Sequence, residues 1–184
     1  MLKRFNYNSP VILTMTLISF AILMIQEYTN INTLKFFAVY RSSPLDVLFY
    51  IRLFGHVLGH ANWEHFINNF LIILILGPML EEKYGSKKLL LMMAVTALIT
   101  GLINIIFFRG SVLLGASGIV FMFILLSSFV NMQKGTIPIT LILVMIIYMG
   151  REFVNGILQE DNISQTAHLL GGICGCIFGF KLKR

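Results

Sequence analysis

Charged residues are scarce in this 184-residue chain: Asp, Glu, Lys and Arg make up 12% of it, against 57% hydrophobic residues and a mean hydropathy of +0.84. That deficit argues against a water-soluble domain. Cysteine is nearly absent. The two that occur, Cys174 and Cys176, stand two apart on one expected helix and point to different faces. They are not expected to bridge and read as small core residues. No internal repeat, low-complexity tract or linker interrupts the chain, which implies one domain over residues 1–184. The HExxH pattern is missing too, and no carboxylate falls at ligand spacing within a span. The cluster of His56, His60 and His65 is therefore not read as a metal site, and no cofactor is expected.

What the chain does have is long apolar runs. Five stretches read as membrane spans: Pro10–Gln26, Glu64–Leu80, Leu89–Phe108, Ser117–Met132 and Thr166–Leu182. A sixth, Ile137–Val154, is shorter and carries Arg151 and Glu152 near its end. A helix needs roughly 20 apolar residues to cross a bilayer, so the length fits about six spans and no separate soluble domain. The expected fold is an all-α polytopic membrane protein with six transmembrane helices. The first run is longer than a signal-peptide core and no small-residue cleavage site follows it, so it reads as retained.

The net charge of +6 follows from topology. With a cytoplasmic N-terminus and six spans, nine basic residues lie inside: Lys3, Arg4, Lys83, Lys87, Lys88, Lys134, Lys181, Lys183 and Arg184. Five lie outside: Lys35, Arg41, Arg52, Arg109 and Arg151. That asymmetry fits the positive-inside rule, puts both termini in the cytoplasm and leaves no reason to invoke a nucleic-acid partner. Residues 28–61 mix apolar side chains with Lys35, Arg41, Asp46 and Arg52. They fit a segment in the outer interface of the bilayer or, equally, a loop folded over the bundle.

Polar groups inside a bilayer are costly and mark function by default. His65 and Asn69 are four apart and share a face near the start of the second span. Ser117, flanked by Gly115 and Gly118, opens the fourth span, and His168 lies near the start of the sixth. Even-numbered spans run in one direction, so these four residues fall at similar depth near the outer face. Gly171 and Gly175 form a GxxxG pair below His168, which lets another helix approach closely. A serine beside an imidazole base is a workable nucleophile. No Asp or Glu stands near His168 within its helix, so a Ser–His dyad fits better than a triad. Asn69, His65 and the backbone N–H groups at the start of the fourth span are candidate oxyanion donors. Spacing alone leaves Asn68 open as well, and His56 reads as an interfacial residue.

The segments "HANWEHFINN", "GASG" and "AHLLGGICG", in that order and on alternate spans, resemble the rhomboid intramembrane serine proteases over nearly the whole chain. The resemblance implies a minimal six-helix rhomboid-like bundle with Ser117 as nucleophile and His168 as general base. It implies that His65 and Asn69 line the oxyanion site. His60 and Arg52 would hold the first loop, and Glu81 would be a structural glutamate. Gly115, Gly118, Gly171 and Gly175 fall within the family's motifs. Two positions depart from the pattern. Ile51 precedes Arg52 where a tryptophan is usual, and Phe121 stands where many members place a tyrosine against the histidine.

The expected function is that of an endopeptidase in a bacterial plasma membrane, cutting single-span membrane proteins near the outer face. The alternative is a catalytically silent rhomboid-like adaptor that binds transmembrane clients. The shorter fifth span, broken by Gly150, Arg151 and Glu152, and the loop Asn155–Gln165 are expected to move as a gate, admitting the substrate helix between spans two and five.

Overall fold

The computed structural model describes residues 6–130, 132–133, 136–151, 154 and 163–182. The named elements are all helical. In chain order they are α1 (Pro10–Tyr28), α2 (Leu34–Phe37), α3 (Val47–Gly55), α4 (Trp63–Tyr84), α5 (Ser86–Phe107), α6 (Ser117–Ser127), α7 (Ile139–Val144) and α8 (Ile163–Lys181). A π-helical turn, Met145–Met149, continues α7. The one strand-like feature among the described residues is a bridge in which Val39 and Leu113 exchange backbone hydrogen bonds of 2.9 Å.

Three helices, α1, α4 and α5, are long and apolar enough to cross a membrane. Two shorter apolar helices, Ser117–Ser127 and Ile139–Met149, occupy the expected fourth and fifth spans. The fourth ends five residues before the expected Met132, and its burial explains why. Gly118, Ile119, Val120 and the whole run Met122–Leu126 are buried, so α6 is apolar all round and surrounded by protein. A central helix need not match the thickness of the lipid. It packs chiefly on α8, with α4 and α5 also against it. Part of the expected gate, residues 152–153 and 155–162, lies outside the described residues.

Local chemistry fixes where the helices begin. Asn62 caps α4 by accepting the His65 N–H at 2.9 Å, and Asp46 caps α3 by accepting the Leu48 N–H at 3.0 Å. Gly85, at φ 81°, closes α4 and lets α5 start at the next residue. Helix α1 starts differently, because Ser9 makes no side-chain cap and Pro10 has no N–H to satisfy. Its next two donors, Val11 and Ile12, bond the Glu81 carboxylate at 3.0 and 3.1 Å, and the Ser86 hydroxyl donates to the same group at 2.7 Å. A buried anion at a helix N-terminus thus ties α1 to the end of α4 and the start of α5. Glu81→Ala strands two N–H groups and is expected to cost about 1–3 kcal/mol, read as a lower melting temperature. Glu81→Gln should recover part of the loss.

The segment between α1 and α4 folds over the bundle, the second reading of residues 28–61. One side of α3 (Arg52, Leu53, Gly55) is buried against the bundle. Its other side presents Val47, Tyr50, Ile51 and Phe54 outward at helical spacing. Arg52 locks the loop. Its Nε donates to the Lys35 carbonyl at 2.8 Å, Nη1 reaches Asp46 at 3.4 Å, and the guanidinium lies 4.5 Å from the centre of the Tyr40 ring. Ile51 points outward and takes no part in this anchor.

Candidate active site

The site forms around the turn that leads into α6. Gly115 has φ 110°, a conformation that favours glycine. Its N–H donates to the His56 carbonyl at 2.9 Å, and the Ala116 N–H donates to His60 Nε2 at 3.4 Å. The first loop therefore holds both residues before Ser117. No side chain caps α6, so its first N–H groups are left for an external acceptor. Ser117 is half-buried at that end.

Helix α4 supplies two further groups. A Cβ on Gly115 would stand 2.5 Å from both Cε1 and Nε2 of His65 and 3.5 Å from Nδ2 of Asn69. The His65 ring and the Asn69 amide therefore lie directly against the Gly115 backbone. Asn69 is buried, and its Nδ2 makes no hydrogen bond. Asn68, which spacing could not separate from it, is exposed on the helix surface.

Helix α8 supplies the last group. A Cβ on Gly171 would run into the Gly118 carbonyl, and one on Gly175 would stand 2.5 Å from the Met122 carbonyl. The two glycines let α8 lie almost backbone to backbone on α6. His168 stacks flat on Phe121, with ring centroids 4.3 Å apart and planes 7° from parallel. Ser117 is one turn before Phe121 and on the same face of α6, so the imidazole is held alongside the face that carries the hydroxyl. His168 and His65 are near enough to interact electrostatically. Ser117, His168, His65, Asn69 and the uncapped start of α6 thus share one end of the bundle.

The structure corrects the reading of His56, gives His60 its partners and adds Tyr148, which the sequence did not single out. His56, expected at an interface, is fully buried. Its Nδ1 pairs with the Leu53 carbonyl at 3.1 Å and its Nε2 with the Thr100 hydroxyl at 3.3 Å. His60 is also buried; its Nδ1 pairs with the Leu58 carbonyl at 3.3 Å while Nε2 accepts from Ala116. Tyr148, in the π-helical turn, meets the edge of Phe121 at 6.1 Å. The only hint of His56 in the sequence was its position four residues before His60.

Desolvation lowers the pKa values of His56 and His60 to about 4 each, with the neighbouring His65 adding to the effect on His60. The geometry agrees, because a doubly protonated His60 has no lone pair left for Ala116. Each ring is neutral when folded but binds a proton near pH 6.5 when unfolded. Stability from these groups is thus complete above pH 6.5 and is lost progressively as pH falls towards 4. The melting temperature is expected to drop over that window, and His60→Gln should flatten the slope. An equally steep slope in the variant would exclude His60 as a source.

The Rhomboid domain family matches residues 49–184, most of the chain, and the chain belongs to that family. It is an integral membrane protein, as its apolar helices require. It is 26% identical over 161 residues to the rhomboid protease GlpG of Haemophilus influenzae, covering 84% of this chain and 81% of that protein. Rhomboid-like protein 11, a chloroplastic protein of Arabidopsis thaliana, is 26% identical over 89% of this chain and 54% of its own length. RHOMBOID-like protein 4 of the same plant is 27% identical over 67% of this chain and 32% of its own. The chain thus spans about half or less of the two plant relatives.

Proposed function

We propose that this chain is an intramembrane serine endopeptidase with Ser117 as nucleophile and His168 as its general base. The observation that carries the reading is the Asn69 amide, a buried donor without a partner, set against the backbone two residues before Ser117. An unpaired buried donor costs about 1–3 kcal/mol. It is put to use where negative charge develops during a reaction.

The chemistry follows from the groups present. The Ser117 oxygen attacks the scissile carbonyl carbon as its proton passes to the His168 imidazole. The carbonyl π electrons move onto oxygen, which accepts from Asn69, His65 and the N–H groups at the start of α6. Collapse of the tetrahedral intermediate breaks the C–N bond, and His168 gives the proton to the departing amine. Water then attacks the acyl-enzyme, losing a proton to His168, and cleavage of the ester returns that proton to Ser117. The flat Phe121 ring keeps the imidazole oriented through these transfers.

The substrate class is a single-span membrane protein cut near the outer face. The working topology is six crossings with both termini in the cytoplasm, in a bacterial plasma membrane. Hydrolysis of a backbone within lipid requires that the substrate helix unwind, so small or helix-breaking residues near the cut are favoured. The test is to incubate the purified protein in lipid with a tagged single-span substrate, beside Ser117→Ala. Two fragments from the wild type alone support the reading. A wild type that captures the substrate but leaves it whole would overturn it in favour of an adaptor.

A further inference from the structure

A second site lies away from the serine. Between α1 and α5, beneath α3, runs a groove of about 540 Å³. Pro10, Val11, Met15 and Ile18 form one wall, and Leu90, Met93, Ala94 and Ala97 form the other. Phe54 and Leu58 from the first loop roof it, and Ile119 of α6 lies at its back. From Ser86 to Ala97 the α5 wall is ~17 Å long, at 1.5 Å per residue. Both walls belong to helices long and apolar enough to cross a membrane, and the groove extends over about half of a hydrocarbon core roughly 30 Å thick.

Its polarity restricts what it can hold. Thr14 and Ser86 are the hydroxyl-bearing residues of the lining, and both are already bonded: Thr14 to Tyr7 at 2.9 Å, Ser86 to Glu81 at 2.7 Å. No uncommitted side-chain donor or acceptor faces a polar ligand inside. Ala94 and Ala97 leave the space open where larger residues would fill it. A long, narrow, apolar occupant fits.

The end of the groove supplies the rest of the recognition. At the Pro10 and Ser86 end, remote from Ser117, Lys87 stands seven residues before Ala94 on the same stripe of α5. Lys88 and, at the end of α4, Lys83 are nearby; all three are exposed. Glu82 is the exposed carboxylate among them, while Glu81 is buried on the α1 backbone. The balance is positive, and lysines at a helix end reach the interface readily.

We propose that this groove is a binding site for one phospholipid with an anionic headgroup, an acyl chain lying between α1 and α5 and the headgroup beside Lys87 and Lys88. The lipid is a fixed component rather than part of the bulk bilayer, because α3 covers the chain. It touches Leu58, which lies between His56 and His60, and Ile119, two residues beyond Ser117. The site therefore borders the loop that holds the α6 turn.

The test uses the full-length protein in detergent, titrated with phosphatidylglycerol or phosphatidylcholine of identical chains, with bound lipid counted by native mass spectrometry. The wild type should retain one phosphatidylglycerol, at least tenfold more tightly than phosphatidylcholine. Ala94→Phe should lower retention of both lipids at least tenfold. Lys87→Glu with Lys88→Glu should remove the headgroup preference and leave phosphatidylcholine binding unchanged. Should Ala94→Phe fail to fold, Leu90→Trp in a Trp63→Phe background, which leaves it the single tryptophan, serves as a reporter. Its fluorescence should be quenched saturably by phosphatidylglycerol with brominated chains, at about one lipid per protein. Equal retention in a folded Ala94→Phe, a wild type that holds no lipid, or quenching that rises linearly with bulk lipid would each overturn the proposal.

Discussion

Ser117→Ala and His168→Ala are each expected to lower cleavage of a transmembrane substrate by a factor on the order of 10⁴ or more. The double variant should be no slower than either single one. The hydroxyl supplies the attacking oxygen and the imidazole the place for its proton, so removing one leaves the other without a task. Neither substitution is expected to unfold the protein. Ser117 is half-buried at an uncapped helix start, and Phe121 remains packed among its own neighbours when the stacked imidazole is lost. The check is a paired measurement of turnover and thermal unfolding in the same lipid. Multiplying effects in the double variant, or cleavage that survives in a folded Ser117→Ala, would show that the two do not work as one unit.

Those two positions were accessible from the sequence because lipid penalises polar groups, and the few it tolerates stand out. Spacing put His65 with Asn69, and the direction of alternate helices put Ser117 and His168 at the same end; the structure holds all four there. Periodicity was too coarse to separate Asn69 from Asn68, since a 100° turn per residue leaves both near one face. Burial separates them, with Asn69 inside and Asn68 out. His56 was misread for a related reason. Its neighbours are apolar in sequence whether the segment lies on lipid or on α5, and the Thr100 contact is 44 residues away. The length of α6 was hidden as well. Hydropathy scores a central helix like a lipid-facing one, so it could not reveal that α6 stops at Ser127.

Asn69→Ala is expected to slow turnover by roughly 10–1000-fold, the order of one oxyanion donor or less. Asn68→Ala, on an exposed face, should change it little. A loss of rate alone would also follow if Asn69 merely braced α4, so stability has to be read beside it. A brace gives up its hydrogen bonds when truncated, and the protein then melts earlier. The Asn69 Nδ2 has no such bond to lose. Asn69→Leu, similar in size and apolar, removes a stranded donor from a buried position and should leave the melting temperature unchanged or higher. Turnover should still fall as it does for the alanine variant. Within the kinetics, a donor engaged only when the carbonyl oxygen becomes charged lowers kcat and leaves KM near its original value. The decisive outcome is therefore a split: activity down by at least tenfold, stability held, KM flat. A Leu variant that melts several degrees earlier, or a loss confined to KM, would assign Asn69 to packing or ground-state binding and leave the oxyanion to His65 and the α6 backbone.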